Sequence, residues 1–560
     1  MTISSKKKLK YVAIFAIIAG AIAGAVIYYV VTFESFPQVK TKLGTIVGLY
    51  SSDGNYNMYM GVPYAVVNKS NPFGDSQPYP KFIDSLKADN DSRMCPQVDQ
   101  YNNTLIGTLD CLNLNIYVPI SDKISKEVKL PVLVFIHDSW YDFGSSGRHV
   151  YGPKYLMKHE IILVTINFRL GPYGFLCVGT PEVSGNQGLK DQILALRWVK
   201  ENIDAFGGDP EKVTLAGIGT GGENVLMHVL YGNKDLFSKV IIDSGLTLPT
   251  LVMAETDSTI PFRLAQDLGF IAYDVKEAIN FLATQDSRRV IRSSYKYDFR
   301  YKPCIENNAT GVNTFATKHM SQINRIRDIN KIKFMIGQTN NERLYKYSDT
   351  VFDSSEYRNI FEDELYDLFN FEADKLMRME KYVRHFYIGN EDITDEVKPN
   401  LIHFFNDLYH NHPTKRTINK FIESGANIIY YSIFSYVGER NYMRNFYSIN
   451  DTYPNATRAD QIGYLFDVSS YMNNNVTEND RLVIDRMTTL WANFVKYGNP
   501  TPDISDILPV KWESVTNKSL AYYDINKNVT SEVRPYHDRM AFWDLFYKSN
   551  GMLQRSIRAK

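Results

Sequence analysis

Five short β-branched runs, separated by stretches of helical period, constrain this 560-residue chain more than anything else in it. Lys129–Ser139 (KLPVLVFIHDS) and Ile161–Phe168 (IILVTINF) read as buried strands, as do Lys212–Ile218 (KVTLAGI), Lys239–Gly245 (KVIIDSG) and Lys331–Thr339 (KIKFMIGQT). Gly188–Ile203 (GLKDQILALRWVKENI) repeats its apolar residues at helical spacing. Strands that are apolar on both faces and alternate with helices predict a mostly parallel sheet covered on both sides. No internal repeat or long linker interrupts the pattern, so one large domain is expected. Tyr- and Asn-rich helical segments from about residue 355 to 450 read as insertions over that sheet.

The stretch Thr214–Asn224 (TLAGIGTGGEN) spells a strand, a glycine-flanked tight turn and a helix start. It has the G-x-S-x-G spacing of a nucleophile elbow, with Gly219 where the serine belongs. Such an elbow is a strained turn, and glycine tolerates that backbone better than serine. Zero formal net charge and the lack of a long like-charge block give nucleic-acid binding no support.

Tyr11–Val31 is a run of 21 uncharged, largely apolar residues behind Lys6, Lys7, Lys8 and Lys10. At about 1.5 Å per residue it spans roughly 30 Å, the thickness of a bilayer core. The basic flank predicts a cytoplasmic tail at 1–10, a transmembrane signal-anchor at 11–31 and an extracellular or lumenal domain at 32–560. A cleaved signal peptide is the rival reading, although its apolar region is normally only about 7–15 residues long. Gly20 and Gly24 form a G-x-x-x-G pair that permits a homodimer through the span.

Nine sequons follow the apolar run, at Asn68, Asn90, Asn102, Asn308, Asn450, Asn455, Asn475, Asn517 and Asn528. They are expected as glycosylation sites on an outward-facing domain. The 62 basic residues less the four N-terminal lysines leave 58 against 62 acidic ones, a mildly acidic ectodomain. Of the four cysteines, Cys95 and Cys111 are expected to form a local disulfide, worth about 3 kcal/mol in the chain-entropy reading. Cys177 reads as a buried free thiol, and Cys304 receives no assignment. No CxxC or clustered His/Cys spacing points to a metal, and no cofactor is expected.

An ordered series of motifs then makes the chain specific. Gly61–Ala65 (GVPYA), Asp110–Pro119 (DCLNLNIYVP), Asn167–Leu176 (NFRLGPYGFL), Gly185–Gln192 (GNQGLKDQ), Phe206–Leu215 (FGGDPEKVTL), Gly463–Phe466 (GYLF) and Trp491–Pro502 (WANFVKYGNPTP) occur in one order. Over roughly residues 38 to 545 the chain resembles the type-B carboxylesterase/cholinesterase family. The resemblance implies an α/β-hydrolase fold: a mostly parallel central sheet flanked by helices, with helical cap insertions over a gorge.

It also implies a Ser–Glu–His triad in chain order. The serine position is Gly219, the acid is retained as Glu342, and Arg458 stands in the histidine position. An arginine stays protonated and cannot serve as a general base. The glycine run expected to supply oxyanion donors reads Asp138, Ser139 and Trp140, where bulk and a carboxylate oppose an oxyanion. Thr220, one residue past the apex, is the remaining oxyanion position that the resemblance implies; its side chain is expected to point away from the site, and Glu342 with Arg458 is expected to form a structural salt bridge. Catalytically silent family members with one membrane span, of the neurotactin, gliotactin and neuroligin kinds, are cell-surface adhesion or junction proteins. The N-terminal anchor resembles the neurotactin-like arrangement most. The expectation is a pseudoenzyme ectodomain that binds an extracellular protein partner. The alternatives are a module that sequesters a hydrophobic small ligand, or a hydrolase with residual activity.

Overall fold

The computed structural model describes residues 16, 18, 20, 36–120, 128–247, 252–297, 299–308, 311–352, 356–450, 452–468, 471–472 and 476–555. Ala16, Ile18 and Gly20 are helical. The rest of the apolar run, with Gly24, lies outside the described residues, as does Asn475. Among the described residues no helix is long and apolar enough to cross a membrane.

The core is an 11-stranded sheet. In chain order its strands are β1 (Leu49–Tyr50), β2 (Tyr56–Pro63), β3 (Asn113–Pro119), β4 (Leu130–Ile136), β5 (Ile162–Ile166) and β6 (Gly208–Ile218). Then follow β7 (Lys239–Asp243), β8 (Lys333–Thr339), β9 (Ile428–Phe434), β10 (Ala521–Ile525) and β11 (Thr530–Val533). Their spatial order is β11-β10-β9-β8-β7-β6-β4-β5-β3-β2-β1. The ladders from β5 across to β10 are parallel, and antiparallel strands finish both edges. This is the expected α/β-hydrolase fold.

All five runs that begin the sequence reading are strands of this sheet. Their lack of alternation has a direct cause. In β4, Val132, Val134 and Ile136 join the core on one face, while Leu133 and Phe135 join the core on the other. Side chains alternate across a strand, so a strand covered on both faces must be apolar throughout. A third core, built on Phe361, Leu365, Phe404 and Trp543, lies within the helical insertion and the helix His537–Asn550. The insertion holds helices Ile360–Leu368, Ala373–Ile388, Lys398–Asn406 and His412–Glu423. It does not run unbroken to 450: β9, IIYYSIF, belongs to the central sheet. Its β-branched and aromatic residues pair with β8 along its whole length, and that long-range pairing overrides the helical surroundings.

Cys95 and Cys111 are joined as expected. Cys177 is not free; it is bonded to Cys304 across a sequence separation of 127 residues. Such a pairing has no local spacing to betray it. It depends on Gly185, whose φ is +118° and where a Cβ would lie 2.6 and 2.7 Å from the two sulfurs. Closing so long a loop restricts the unfolded chain strongly, on the order of 4–5 kcal/mol in the entropy reading. Cys177→Ser combined with Cys304→Ser should lower unfolding free energy by about 2–5 kcal/mol. Urea unfolding under non-reducing conditions checks this, and an unchanged midpoint would show that the bond contributes nothing.

Candidate functional site

The site grows from the junction of β6 and the helix Thr220–Tyr231. Gly219 sits at the apex with φ 60° and ψ −126°, so the elbow backbone is kept. Its N–H donates to Asp243 O (2.9 Å), and its carbonyl accepts from Glu223 N (3.0 Å). The helix start packs directly on the end of β4, since a Cβ on Gly221 would lie 2.2 Å from Ile136 O. A Cβ on Gly219 would fall 2.5 Å from both Arg458 Nη2 and Asp138 Oδ2. The space a serine side chain needs is already occupied.

What occupies it is a buried ion pair. Arg458 Nη2 donates to Asp138 Oδ1 at 3.0 Å, and their side chains are only 5% and 9% exposed. The same carboxylate oxygen accepts from Ser139 N (3.0 Å), Thr220 N (2.9 Å) and Thr220 Oγ1 (2.7 Å). The amides of Ser139 and Thr220 are the donors that the family resemblance assigns to an oxyanion. They still converge, but on an internal anion. The carboxylate also lies at a helix N-terminus, where free N–H groups and the helix dipole favour negative charge.

Thr220 corrects an expectation: its hydroxyl points into the site. Oγ1 donates to Asp138 and accepts from Ser139 N (2.8 Å) and Trp140 N (3.1 Å). The elbow turn carries this side chain toward the end of β4, and Asp138 supplies the acceptor that holds it. Trp140, at the end of the expected glycine run, and Tyr141 after it take positive φ, 48° and 65°. Each costs on the order of 1–2 kcal/mol as a non-glycine residue. Contacts offset this: the Arg458 guanidinium lies 4.3 Å from the Trp140 ring centroid, and Tyr141 OH donates to Glu223 Oε2 at 2.9 Å.

The expected Glu342–Arg458 bridge is not formed. Glu342 Oε1 accepts instead from Thr339 N (2.7 Å) and Ser244 Oγ (2.8 Å). Arg458 turns to Asp138 because that carboxylate is already fixed by three other donors. Burial works against the Arg458 charge, but Asp138 and then Tyr345, Glu223 and Glu342 raise its pKa above the ordinary arginine value. Burial also raises the Glu342 carboxyl. His137 is no base for Ser139: its ring stacks on Phe168 at 4.6 Å, its Nδ1 faces Asp138 O, and burial lowers its pKa to about 4. Ser139 Oγ lies 3.2 Å from Thr220 Oγ1 instead.

The sequence reading missed Ser244 and Gln461, which complete a buried network. Gln461 Nε2 donates to Asp243 Oδ1 (2.8 Å) and Ser244 Oγ (3.0 Å). It also missed that Asp138 and Arg458, two charged replacements of uncharged or neutral partners, could compensate each other. Beside the plug, a cavity of about 60 Å³ is bounded by Asp138, Trp140, Tyr101 and Tyr442. A second, of about 300 Å³, is lined by Trp140, Phe143, Tyr295, Phe299 and Phe446. Gly219, Glu342 and Arg458 line neither. The arrangement holds a fixed anion and cation and offers no side chain at the apex to attack a carbonyl. Among the described residues no group of His, Cys, Asp and Glu could hold a metal ion.

Breaking the pair should cost far more than replacing it. Arg458→Met leaves Asp138 buried and unpaired, for a loss of about 3–5 kcal/mol, whereas Arg458→Met with Asp138→Leu should recover most of it. A double-mutant cycle by chemical unfolding measures this; equal losses in single and double variants would remove the pair from its central place. Burial, and then the nearby Glu342, lift Asp243 from 3.8 to about 7. The neutral carboxyl therefore stabilises the fold below about pH 4, and that contribution is lost as pH rises to about 7. Buried histidines such as His137 pull the other way, so the difference between variants is the readout. Asp243→Asn should gain stability relative to the wild type across that range, and a pH-independent difference would contradict the shift.

Residues 35–543 match the Carboxylesterase family. The juvenile hormone esterase of Tribolium castaneum is 28% identical over 507 residues, covering 84% of each chain. Esterase FE4 of Myzus persicae is 28% identical, covering 85% of this chain and 87% of its own. Human bile salt-activated lipase is 27% identical over 544 residues, covering 91% of this chain and 69% of its own. The crystal structure of juvenile hormone esterase from Manduca sexta, with OTFP covalently attached, superposes with a TM-score of 0.76 at 24% identity. It covers 92% of this chain and all of its own, which establishes the likeness of fold. By the span of that family match, this chain belongs to the carboxylesterase family.

Proposed function

We propose that this chain is a catalytically silent, esterase-like ectodomain of a type II membrane glycoprotein that recognises a protein partner at the cell surface. The observation that carries the proposal is the Asp138–Arg458 pair, which fills the apex beside Gly219 and takes the amides of Ser139 and Thr220. Acyl transfer needs a nucleophile, a base and free oxyanion donors together. Here the apex is glycine, the base position is a charged guanidinium, and the donors hold an internal carboxylate. The relatives' names describe esterases and a lipase; this chain shares their fold while its own residues at these positions support a different use.

The topology in this proposal is a tail at 1–10, an anchor at 11–31 and the outward domain at 32–560. Both disulfides suit an oxidising compartment. Of the sequon asparagines within the described residues, Asn455 is half-buried and the other seven are exposed. The Gly20/Gly24 pair supports a homodimer through the anchor. A second reading, a holder of a hydrophobic small molecule, is favoured by the aromatic cavity of about 300 Å³ beside Trp140.

A fluorophosphonate probe should leave the native protein unlabelled, and cells expressing it should aggregate with cells that carry the partner. Gly219→Ser with Arg458→His should still give no more than weak turnover of nitrophenyl acetate, because Asp138 keeps the donors. Covalent labelling of the native chain, or robust hydrolysis abolished by Glu342→Gln, would overturn the silent-site proposal. Extraction by alkaline carbonate would remove the anchor from it.

A further inference from the structure

The helix Ser287–Lys296 carries a charge pattern that neither the fold nor the plugged site explains. Over residues 287–302 the sequence holds Arg288, Arg289, Arg292, Lys296, Arg300 and Lys302 against one acid, Asp298. This sits in an ectodomain that is otherwise mildly acidic. At 100° per residue, Arg288, Arg292, Lys296 and Arg289 fall within one arc of about 100° on the helix. Arg288, Arg292 and Lys296 follow each other at i, i+4 and i+8, a stripe with about 6 Å between steps.

All four of these side chains are exposed. Lys296 pairs with Asp267, and Arg289 donates to Gln285 Oε1 (3.2 Å). Among the described residues no carboxylate pairs with Arg288, Arg289 or Arg292. The nearest acid in sequence, Asp286, is spent capping the helix through Arg288 N (2.8 Å). Like charges at i, i+4 destabilise a helix, so the stripe weakens the element that bears it unless an anion covers it. Tyr295, 67% exposed, flanks the stripe.

The opposite face of the helix is already used. Val290 is fully buried and Ile291 is 5% exposed, both within the main core. A helix whose apolar face is locked into its own protein has none to insert into a bilayer, which separates this surface from an interfacial membrane helix. What it offers is a row of guanidinium groups, which bind oxyanions bidentately, on a rigid rod.

We infer that the exposed face of Ser287–Lys296 is a binding surface for a linear sulfated polysaccharide. The occupant follows from charge complementarity: a chain of closely spaced sulfates meets Arg288 and Arg292 in line, with Arg289 beside them, and the ectodomain's extracellular placement brings the two together. The inference rests on that placement and is independent of the protein partner.

The test uses the full-length protein in mild detergent with immobilised heparin as the probe. The wild type should bind, and raising salt should weaken it steeply by counterion release. Arg288→Gln/Arg289→Gln/Arg292→Gln should lose about tenfold or more in affinity and flatten the salt slope by about 2–3. The thermal midpoint should not change, which separates lost binding from misfolding. The matching triple lysine variant should bind within a few-fold of the wild type, because charge is kept while bidentate geometry is lost. Glutamine and wild-type chains binding heparin equally would overturn the inference. So would preferential binding to vesicles of equal parts phosphatidylserine and phosphatidylcholine. Heparin binding by a chain that fails to aggregate cells upholds this surface and counts only against the protein-partner proposal. Failure of antibodies to this helix to stain intact cells, with heparin binding kept in detergent, would overturn the polysaccharide as its natural ligand.

Discussion

A carboxylate placed where an enzyme of this fold would transiently generate a tetrahedral oxyanion is the constraint on which the site depends. Asp138 Oδ1 gathers two backbone amides, one hydroxyl and one guanidinium around a single oxygen. In a working esterase, donors of this kind are kept free, because their value lies in binding charge that appears only in the transition state. Here the acceptor is part of the chain itself and the interaction belongs to the ground state. The same geometry that lowers a barrier elsewhere thereby becomes part of the fold's stability.

The pair also sets its neighbours. Arg458 gives the Trp140 ring a cation to cover, which helps hold Trp140 and Tyr141 in left-handed backbone. Trp140 in turn forms a wall shared by the two cavities. Glu342, without an imidazole to orient, is held by Thr339 and Ser244 at the end of β8 and joins Asp243 and Gln461 in a buried network. Burial of these carboxyls favours their neutral forms, which suits a structural cluster and not a set of ionised catalytic groups.

Much of the fold was legible because its signals are local. β4 and β5 are continuous apolar runs, and Gln187–Asn202 shows helical period within a single stretch. β9 was hidden by its setting, since a seven-residue run next to helical segments is ambiguous until its partner strand is known. At the site, Gly219, Glu342 and Arg458 could be placed by motif order, yet their partners could not. Asp138 and Arg458 are separated by 320 residues, and Cys177 and Cys304 by 127; no periodicity links such positions. The error over Glu342 came from assuming that adjacent triad positions touch. Ser244, an unremarked residue after β7, had the prior claim on that carboxylate.

The overlap at Gly219 limits what a mutation can do there. A serine cannot be seated at the apex while Arg458 and Asp138 fill it, since its Cβ would lie 2.5 Å from each. Neither charged residue can leave alone without stranding the other in a nearly dry pocket. Each of the three residues therefore protects the other two, and a single substitution at any of them passes through a less stable protein. Selection on stability alone is enough to hold the three together, while the surface around them stays free to change.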